Sequence, residues 1–98
     1  MANEAAVLRK VMNILRLRKD CYAVRMDNAP TGTPDVIACV NGRFVGIEVK
    51  DDVNGSYTLT AAQKVRGKRI LDAGGLFIVV DKHTVDDLNG TLDFYAQD

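Results

Sequence analysis

The sequence predicts a mixed α/β domain in which helices cover the faces of a single sheet. Three features predict it: an amphipathic stretch at the N-terminus, an Asn-Gly hairpin near the middle, and a short apolar run after a second helix. The resulting order is helix, three strands, helix, strand and a terminal segment, with an antiparallel hairpin ahead of a crossover helix. At 98 residues the chain suits one domain, 1–98, with one modest core.

The first helix is predicted to begin after Asn3, a good capping residue, and to extend to about Arg18. Its apolar residues recur at helical spacing, whereas its outer face is rich in Arg and Lys. A strand then extends from Cys21 to about Asp27, because the Asn, Pro and Gly residues of "NAPTGTP" are typical of a loop.

The rest of the chain is predicted to contain a hairpin, a helix and one more strand. The hairpin spans 35–50, and a helix capped by Thr58 or Thr60 extends to about Ala73. The apolar run "LFIVVD" favours a strand buried on both faces in the middle of the sheet. The last segment is weakly helical, and Gly90 is expected to interrupt it.

Composition narrows the classes of function. No apolar tract is long enough to cross a bilayer and the N-terminus lacks the pattern of a secretion signal, so we expect a soluble, cytoplasmic protein. Cys21 and Cys39 are expected to be reduced, with Cys39 in the core, and His83 in a turn. These three are too few for a structural zinc site.

Net charge is zero, but residues 1–80 hold twelve of the thirteen basic residues, which is compatible with a nucleic-acid partner.

The hairpin carries three charges among its Val and Ile residues. If Asn41-Gly42 forms the type I′ turn that this dipeptide favours, Asp35 lies directly opposite Glu48. Strand alternation then places Lys50 on the same face as Glu48 and the apolar residues on the other. Three residues that are distant in sequence are thus predicted to form one cluster.

Two carboxylates this close repel each other and raise one another's pKa unless a cation lies between them. A hard divalent ion such as Mg²⁺ prefers oxygen ligands and accepts a partial protein shell completed by water and phosphate. The alternative is that Lys50 itself neutralises the pair in an exposed surface cluster. The hairpin pattern leaves both interpretations open.

Pro34-Asp35 on one strand and Glu48-Val49-Lys50 on the next resemble the PD-(D/E)XK nucleases, which have a restriction-endonuclease-like αβββαβ core. More narrowly, "GTPDVIACVNGRFVGIEVK", between a helix with Glu4 and a helix with Gln63, resembles the virus-type replication-repair nuclease (VRR-NUC) family. The similarity is to its stand-alone, phage-like members, and it covers approximately residues 4–80.

The resemblance implies a metal site in the hairpin. Asp35 and Glu48 would be ligands of Mg²⁺, with Mn²⁺ as a substitute, and the backbone carbonyl of Val49 would join them. Glu4 matches the additional acid of the family, which acts on a metal directly or through water.

The resemblance also implies roles for two further side chains. Lys50 would orient or activate the attacking water and stabilise charge on the phosphate. Gln63 matches the helix glutamine that lies near the site in the family. These residue types agree with phosphodiester hydrolysis, which needs an activated water and stabilisation of charge on the phosphoryl oxygens.

Basic residues of both helices are candidates for contacts with the DNA backbone. Those of the second helix are Lys64, Arg66, Lys68 and Arg69. A solvated helix face is an equally good interpretation of any one of them. Tyr57 either contacts DNA or packs against the start of the helix. Asp51 and Asp52 either bind metal more weakly than the hairpin carboxylates or repel a DNA duplex that takes the wrong path across the site.

The resemblance implies a metal-dependent endonuclease that acts on branched DNA such as Holliday junctions. Two symmetric incisions need two sites, so a homodimer is expected. Within nucleases, flap, nicking or restriction-like cleavage remains open because the catalytic core is shared. In another class, the chain is a non-catalytic DNA-binding subunit that retains the fold, although such a subunit does not need a repelling carboxylate pair.

Overall fold

The computed structural model describes residues 3–51 and 58–97. Its elements are α1 (Glu4–Leu17), β1 (Cys21–Arg25), β2 (Val36–Val40), β3 (Arg43–Val49), α2 (Ala61–Asp72), β4 (Leu76–Val80), a 3₁₀ turn (Val85–Asp87) and α3 (Leu88–Tyr95). The predicted αβββαβ core is confirmed, and α3 is added after it. Among the described helices, none is long and apolar enough to span a membrane.

The four strands form one sheet in the order β1-β2-β3-β4. The first three strands are antiparallel, and β3 pairs with β4 in parallel. Asn41 and Gly42 have φ values of 50° and 81°, as the type I′ turn requires. Val40 pairs with Arg43, and the register continues outward to Val36 and Ile47, so the next positions along the two strands are 35 and 48.

One face of the sheet forms the hydrophobic core. Its strand residues Val36, Val45 and Ile47 are completely buried. The helix α1 covers them with a stripe of Val and Leu residues, and its first turn is capped by the Asn3 side chain, which accepts a hydrogen bond from the Ala6 N–H at 2.9 Å. The 3₁₀ turn and α3 complete this core.

The helix α2 packs against the opposite face, and two glycines allow it to come close. A Cβ atom on Gly67 would lie 2.6 Å from the Phe77 ring of β4. A Cβ on Gly32, which has a φ of 88°, would lie 2.6 Å from the backbone oxygen of Ala62. Because α2 lies over β4, the β1 end of this face stays open, and Tyr22 is exposed there.

Three sequence predictions are wrong. The strand β4 lies at one edge of the described sheet and not in its middle. Its residues are apolar because both of its faces are covered, which does not require a neighbouring strand on each side. Gly90 lies inside α3, where burial of Leu88 and Leu92 outweighs the roughly 1 kcal/mol cost of a helical glycine. Cys39 is exposed, because its side of the sheet is not covered by α2.

Candidate active site

The predicted charged cluster lies at the carboxyl end of β3, where three other elements converge. Asp35 directly precedes β2, Glu48 lies in β3 and Lys50 directly follows it. Gln63 belongs to the first turn of α2, and Glu4 is the first residue of α1. The structure therefore brings together all five side chains that the sequence singled out, and their chemical roles stay predictions.

Glu48 is the most deeply buried member of the cluster, with 4% of its surface exposed. Its Oε2 accepts a hydrogen bond from Gln63 Nε2 at 3.0 Å, whereas Oε1 is buried and accepts no hydrogen bond from the described residues. Burial raises the pKa of Glu48 to about 8, and the adjacent Asp35 side chain contributes through a hydrogen bond and its negative charge. Lys50 opposes that rise, and Glu4 adds to it.

Asp35 is fixed by the strand on which Glu48 lies. Its Oδ2 accepts a hydrogen bond from the Val49 N–H at 2.7 Å. Because the N–H and C=O of one residue in an extended strand point to the same side, the Val49 carbonyl also faces the Asp35 side. Two carboxylates and one backbone oxygen thus converge at the end of the hairpin. The register predicted the position of the carboxylates, and the resemblance implied the carbonyl.

Gln63 connects the cluster to α2. Its Oε1 accepts hydrogen bonds from Lys50 Nζ and from the Thr60 N–H, both at 2.9 Å, while its Nε2 donates to Glu48. The Thr60 hydroxyl accepts from the Gln63 N–H at 3.1 Å, which completes a capping box. The helix cap therefore fixes the amide that holds Lys50 and Glu48, and the Thr-x-x-Gln spacing was the sequence signal for this link.

Lys50 and Glu4 complete the charge balance. The Lys50 ammonium lies 3.9 Å from Glu48 Oε2, and only 14% of its side chain is exposed. Glu4 Oε1 accepts a hydrogen bond from the Asp51 N–H at 3.3 Å, which brings the start of α1 to the end of β3. Lys50 therefore neutralises only part of the cluster, since its ammonium is shared with Gln63 and three carboxylates influence the site.

The donor set suits a hard divalent cation that the protein holds only in part. In residues 3–51 and 58–97, no group of three or more His, Cys, Asp or Glu side chains is placed to hold a metal ion. The unpartnered Glu48 Oε1 is a buried acceptor whose ionised form needs a positive charge nearby. Asp35, Glu48 and the Val49 carbonyl therefore fit Mg²⁺, which retains several water or phosphate ligands.

Basic side chains of α2 extend away from the cluster, and they differ in their surroundings. Lys64 is exposed, and Lys68 pairs with Asp72 at 2.7 Å. Arg66 donates from Nε to the Thr31 carbonyl at 3.1 Å. Neither Arg66 nor Arg69 pairs with a carboxylate of the described residues, so both can contact phosphate. Tyr57 and Asp52 lie outside the described residues, and Asp51 lies beside Glu4.

A second basic surface lies on α1, whose basic outer face the sequence indicated, although Arg25 of β1 was not identified as part of it. Arg9, Asn13 and Arg16 of α1 line one groove with Arg25 of β1 and apolar side chains, and its volume is about 250 Å³. Their spacing along α1 is the periodicity of one helix face, but pairing with Arg25 needs the tertiary fold. His83 lies in the turn after β4, as predicted, and its N–H donates to Asp81 Oδ1 at 2.8 Å.

Solved structures share the architecture that holds this site. A VRR_NUC domain protein matches with a TM-score of 0.73 and 24% identity over 96% of this chain and 88% of its own. A second structure, described as a VRR_NUC domain, matches with a TM-score of 0.73 and 20% identity over 92% of this chain and 97% of its own. No protein-family model and no curated protein matches the sequence. The chain has a VRR_NUC-like fold, which confirms the resemblance for the architecture.

Proposed function

We propose that this protein is a metal-dependent DNA endonuclease that hydrolyses phosphodiester bonds. One observation carries the proposal: buried Glu48, beside partly buried Asp35, has one carboxylate oxygen that no donor of the described residues reaches, close to the ammonium of Lys50. Such a pair is costly for stability alone, and it is expected where a cation and a phosphate bind. The VRR_NUC names of the similar structures support a nuclease as the class.

Asp35 and Glu48, with the Val49 carbonyl, would hold Mg²⁺ or Mn²⁺. When bound, the ion lowers the pKa of a coordinated water and offsets negative charge on the phosphoryl oxygens. The negative charge of Glu4 raises the pKa of Glu48, and Glu4 would bind a water of the same shell. A metal would also favour the ionised form of Glu48, whose pKa is raised to about 8 by burial and Asp35.

Lys50 supplies the positive charge of the protein itself. Its Nζ is held by Gln63 Oε1 at 2.9 Å, so the ammonium has a defined position before any substrate arrives. An ammonium has three donors, and one is used by Gln63. The others can donate to the attacking water and to a phosphate oxygen. Gln63 is in this scheme a positioning residue, because it acts through Lys50 and Glu48.

Basic residues on two sides of the site suit a DNA backbone that passes across it. The arginines of α2 lie on one side, and the groove between α1 and β1 lies on the other. We propose branched DNA as the preferred substrate, and a homodimer that supplies two sites for paired incision of a Holliday junction. The resemblance in "GTPDVIACVNGRFVGIEVK" supports this finer proposal. Flap or nicked DNA is the competing substrate class.

The test is cleavage of a matched substrate panel with Mg²⁺ or Mn²⁺: four-way junctions, flaps, nicked duplexes and linear duplexes. We expect cleavage of branched DNA, which EDTA abolishes. Asp35→Asn should lower the rate by at least about a hundredfold, since even residues that only support a metal ligand contribute 10- to 100-fold. Asp87→Asn, an exposed carboxylate change on the 3₁₀ turn, is the matched control and should cut normally.

Each outcome of the panel decides one part of the proposal. Intact substrates with both metals would remove the nuclease assignment and leave a DNA-binding subunit. Normal cleavage by Asp35→Asn would remove the site assignment alone. Cleavage of flaps but not of four-way junctions would remove junction resolution. A monomer in light scattering, with and without junction DNA, would remove paired incision.

A further inference from the structure

A groove beside the candidate active site is not used by the proposed chemistry. It lies between α2 and the β2–β3 hairpin, and its volume is about 470 Å³. We call it the aromatic groove and define it by an apolar floor and a basic rim: Pro34, Ile37, Phe44, Ile70, Arg66 and Arg69. Pro34 directly precedes Asp35, so the groove begins where the carboxylate pair ends.

The floor is built by close packing and is not a chance opening. A Cβ on Gly46 would lie 2.9 Å from Ile70 Cδ1 and 3.0 Å from Pro34 Cγ, so these two side chains meet directly above Gly46. A Cβ on Gly75 would lie 3.1 Å from Phe44 Cδ1, so the aromatic ring rests against the Gly75 backbone. Phe44 is nevertheless 43% exposed. Its ring is thus supported on one side and open on the other.

The rim is basic. No Asp or Glu among the described residues lines the groove, and neither Arg66 nor Arg69 forms an ion pair with one. The Thr31 carbonyl holds the Arg66 guanidinium at the rim through Nε. Two cations above an apolar and aromatic floor complement a ligand that combines a flat ring with negative charge. This is the chemistry of a nucleotide, and base stacking on an aromatic side chain beside basic residues is a general mode of binding single strands.

The position of the groove indicates which nucleotide it receives. Gln63 contacts the carboxylate cluster, and Arg66 follows three residues later, about 5 Å further along the axis of α2. Phe44 lies four residues before Glu48 on β3, about 13 Å along the strand. A DNA strand whose phosphate lies at Lys50 and which follows α2 past Arg66 therefore reaches Phe44 with a nucleotide near that phosphate but not adjacent to it. Bases inside a duplex are stacked on one another and have no free face. The groove consequently suits a base that is unpaired.

We infer that the aromatic groove binds an unpaired base of the strand whose phosphate lies at the active site, near that phosphate but not adjacent to it, stacked on Phe44 and held by Arg66 and Arg69. The inference rests on the proposed function, because it takes the scissile phosphate to lie at the carboxylate pair. It gives the substrate class in more detail: branched DNA with an unpaired nucleotide at the branch should be preferred over fully paired DNA.

The test uses 2-aminopurine, a base whose fluorescence falls on stacking, at successive positions around the branch of a flap, with EDTA present to prevent cleavage. Wild-type protein should quench one position, and Phe44→Ala should lose the quench together with about five- to a hundredfold in affinity, as expected for one base stack. Fully paired duplex should bind both proteins within about twofold. Phe44→Trp should restore the quench.

Tyr22→Ala is the matched control, since Tyr22 is an exposed aromatic residue on the same sheet face but outside the groove. It should quench and bind like wild type. Arg69→Gln provides a variant with an unchanged floor, and it should lower the slope of affinity against salt by about one. A normal quench in Phe44→Ala, or no quench at any position with wild type, would overturn the inference.

Two outcomes distinguish this inference from a dimer contact at the groove and from the nuclease proposal. If Phe44→Ala turns a dimer into a monomer in light scattering without losing the quench, a second copy of the chain occupies the groove and the inference is wrong. If the quench behaves as expected but no substrate is cut with Mg²⁺ or Mn²⁺, the groove is a DNA site and the nuclease proposal alone fails.

Discussion

The two faces of the sheet differ in composition and in packing. On the face toward α1 and α3, every side chain of β2 and β3 except Arg43, which is exposed beside the turn, is apolar and at most 3% exposed. On the face toward α2, Asp35, Glu48 and Lys50 lie in or next to the same two strands. The side chains of Ile37 and Phe44 on this face are partly exposed. The first face stabilises the fold, and this allows the second to retain a carboxylate pair that costs stability.

This difference shows how a small domain accommodates a site. Strand alternation separates the two sets of residues completely, because successive side chains point to opposite faces. The covered face needs no polar residue, and the site face needs only partial cover. Substitutions on the two faces should therefore change different measured quantities.

The largest effect is expected from Ile47→Ala. Ile47 is completely buried between α1 and the sheet, so truncation should lower the free energy of unfolding by about 2–5 kcal/mol. The same change at half-buried Ile37, on the face toward α2, should cost less than about 1.5 kcal/mol. Urea denaturation followed by circular dichroism measures both. Equal losses would mean that the two faces do not divide stability and function as described.

An intermediate effect is expected from Gln63→Ala. Loss of the amide frees Lys50 and Glu48, so cleavage should fall by about 10- to 100-fold, as for other groups that orient a site. Loss of the capping box should also cost about 1 kcal/mol of stability.

Thr60→Ala separates these two roles of the helix start. It removes the hydroxyl that caps the Gln63 N–H but leaves the Gln63 amide and the Thr60 N–H in place. It should cost a similar stability, about 1 kcal/mol, with little change in cleavage. If both variants lose cleavage equally at temperatures where they are folded, Gln63 acts only through the helix cap.

The last effect depends on pH and is expected from the protonation of Glu48. Burial and Asp35 raise its pKa to about 8, from an ordinary value of 4.5. Between these values the native state keeps a proton that the unfolded chain releases, so stability falls as pH rises. Without divalent cations, the Tm of wild type relative to Glu48→Gln should therefore decline from pH 5 to pH 8.

A divalent cation should reverse that decline. Mg²⁺ bound by the ionised pair should raise the Tm of wild type at pH 8 by a few degrees and that of Glu48→Gln much less. The measurement is differential scanning fluorimetry over pH with and without Mg²⁺. A parallel response of the two proteins, in both buffers, would show that Glu48 does not have the raised pKa or hold the cation.

The local signals in the sequence were accurate where one short segment decides the structure. Asn41-Gly42 set the turn and thereby the register, because both residues adopt positive φ at little cost. Asn3 and Thr60 marked the helix starts through their side-chain oxygens. The proximity of Asp35 to Glu48 and Lys50 followed from these local rules alone.

Predictions failed where distant segments decide. An apolar run does not give the place of a strand in its sheet, so β4 was predicted in the middle, although its parallel pairing with β3 leaves it at the edge of the described sheet. Cys39 was predicted in the core, because alternation gives the face of a residue but not what covers that face.

By itself, the sequence determined which charges share one face of the hairpin, since a two-residue turn and a period of two leave a single register. Only the tertiary structure decided what surrounds them. The packing of Gly67 on Phe77 and of Gly32 on Ala62 sets α2 over β4. That placement brings Gln63 to Lys50 and leaves the Phe44 ring open, because contacts between remote segments depend on side-chain shapes that no local pattern encodes.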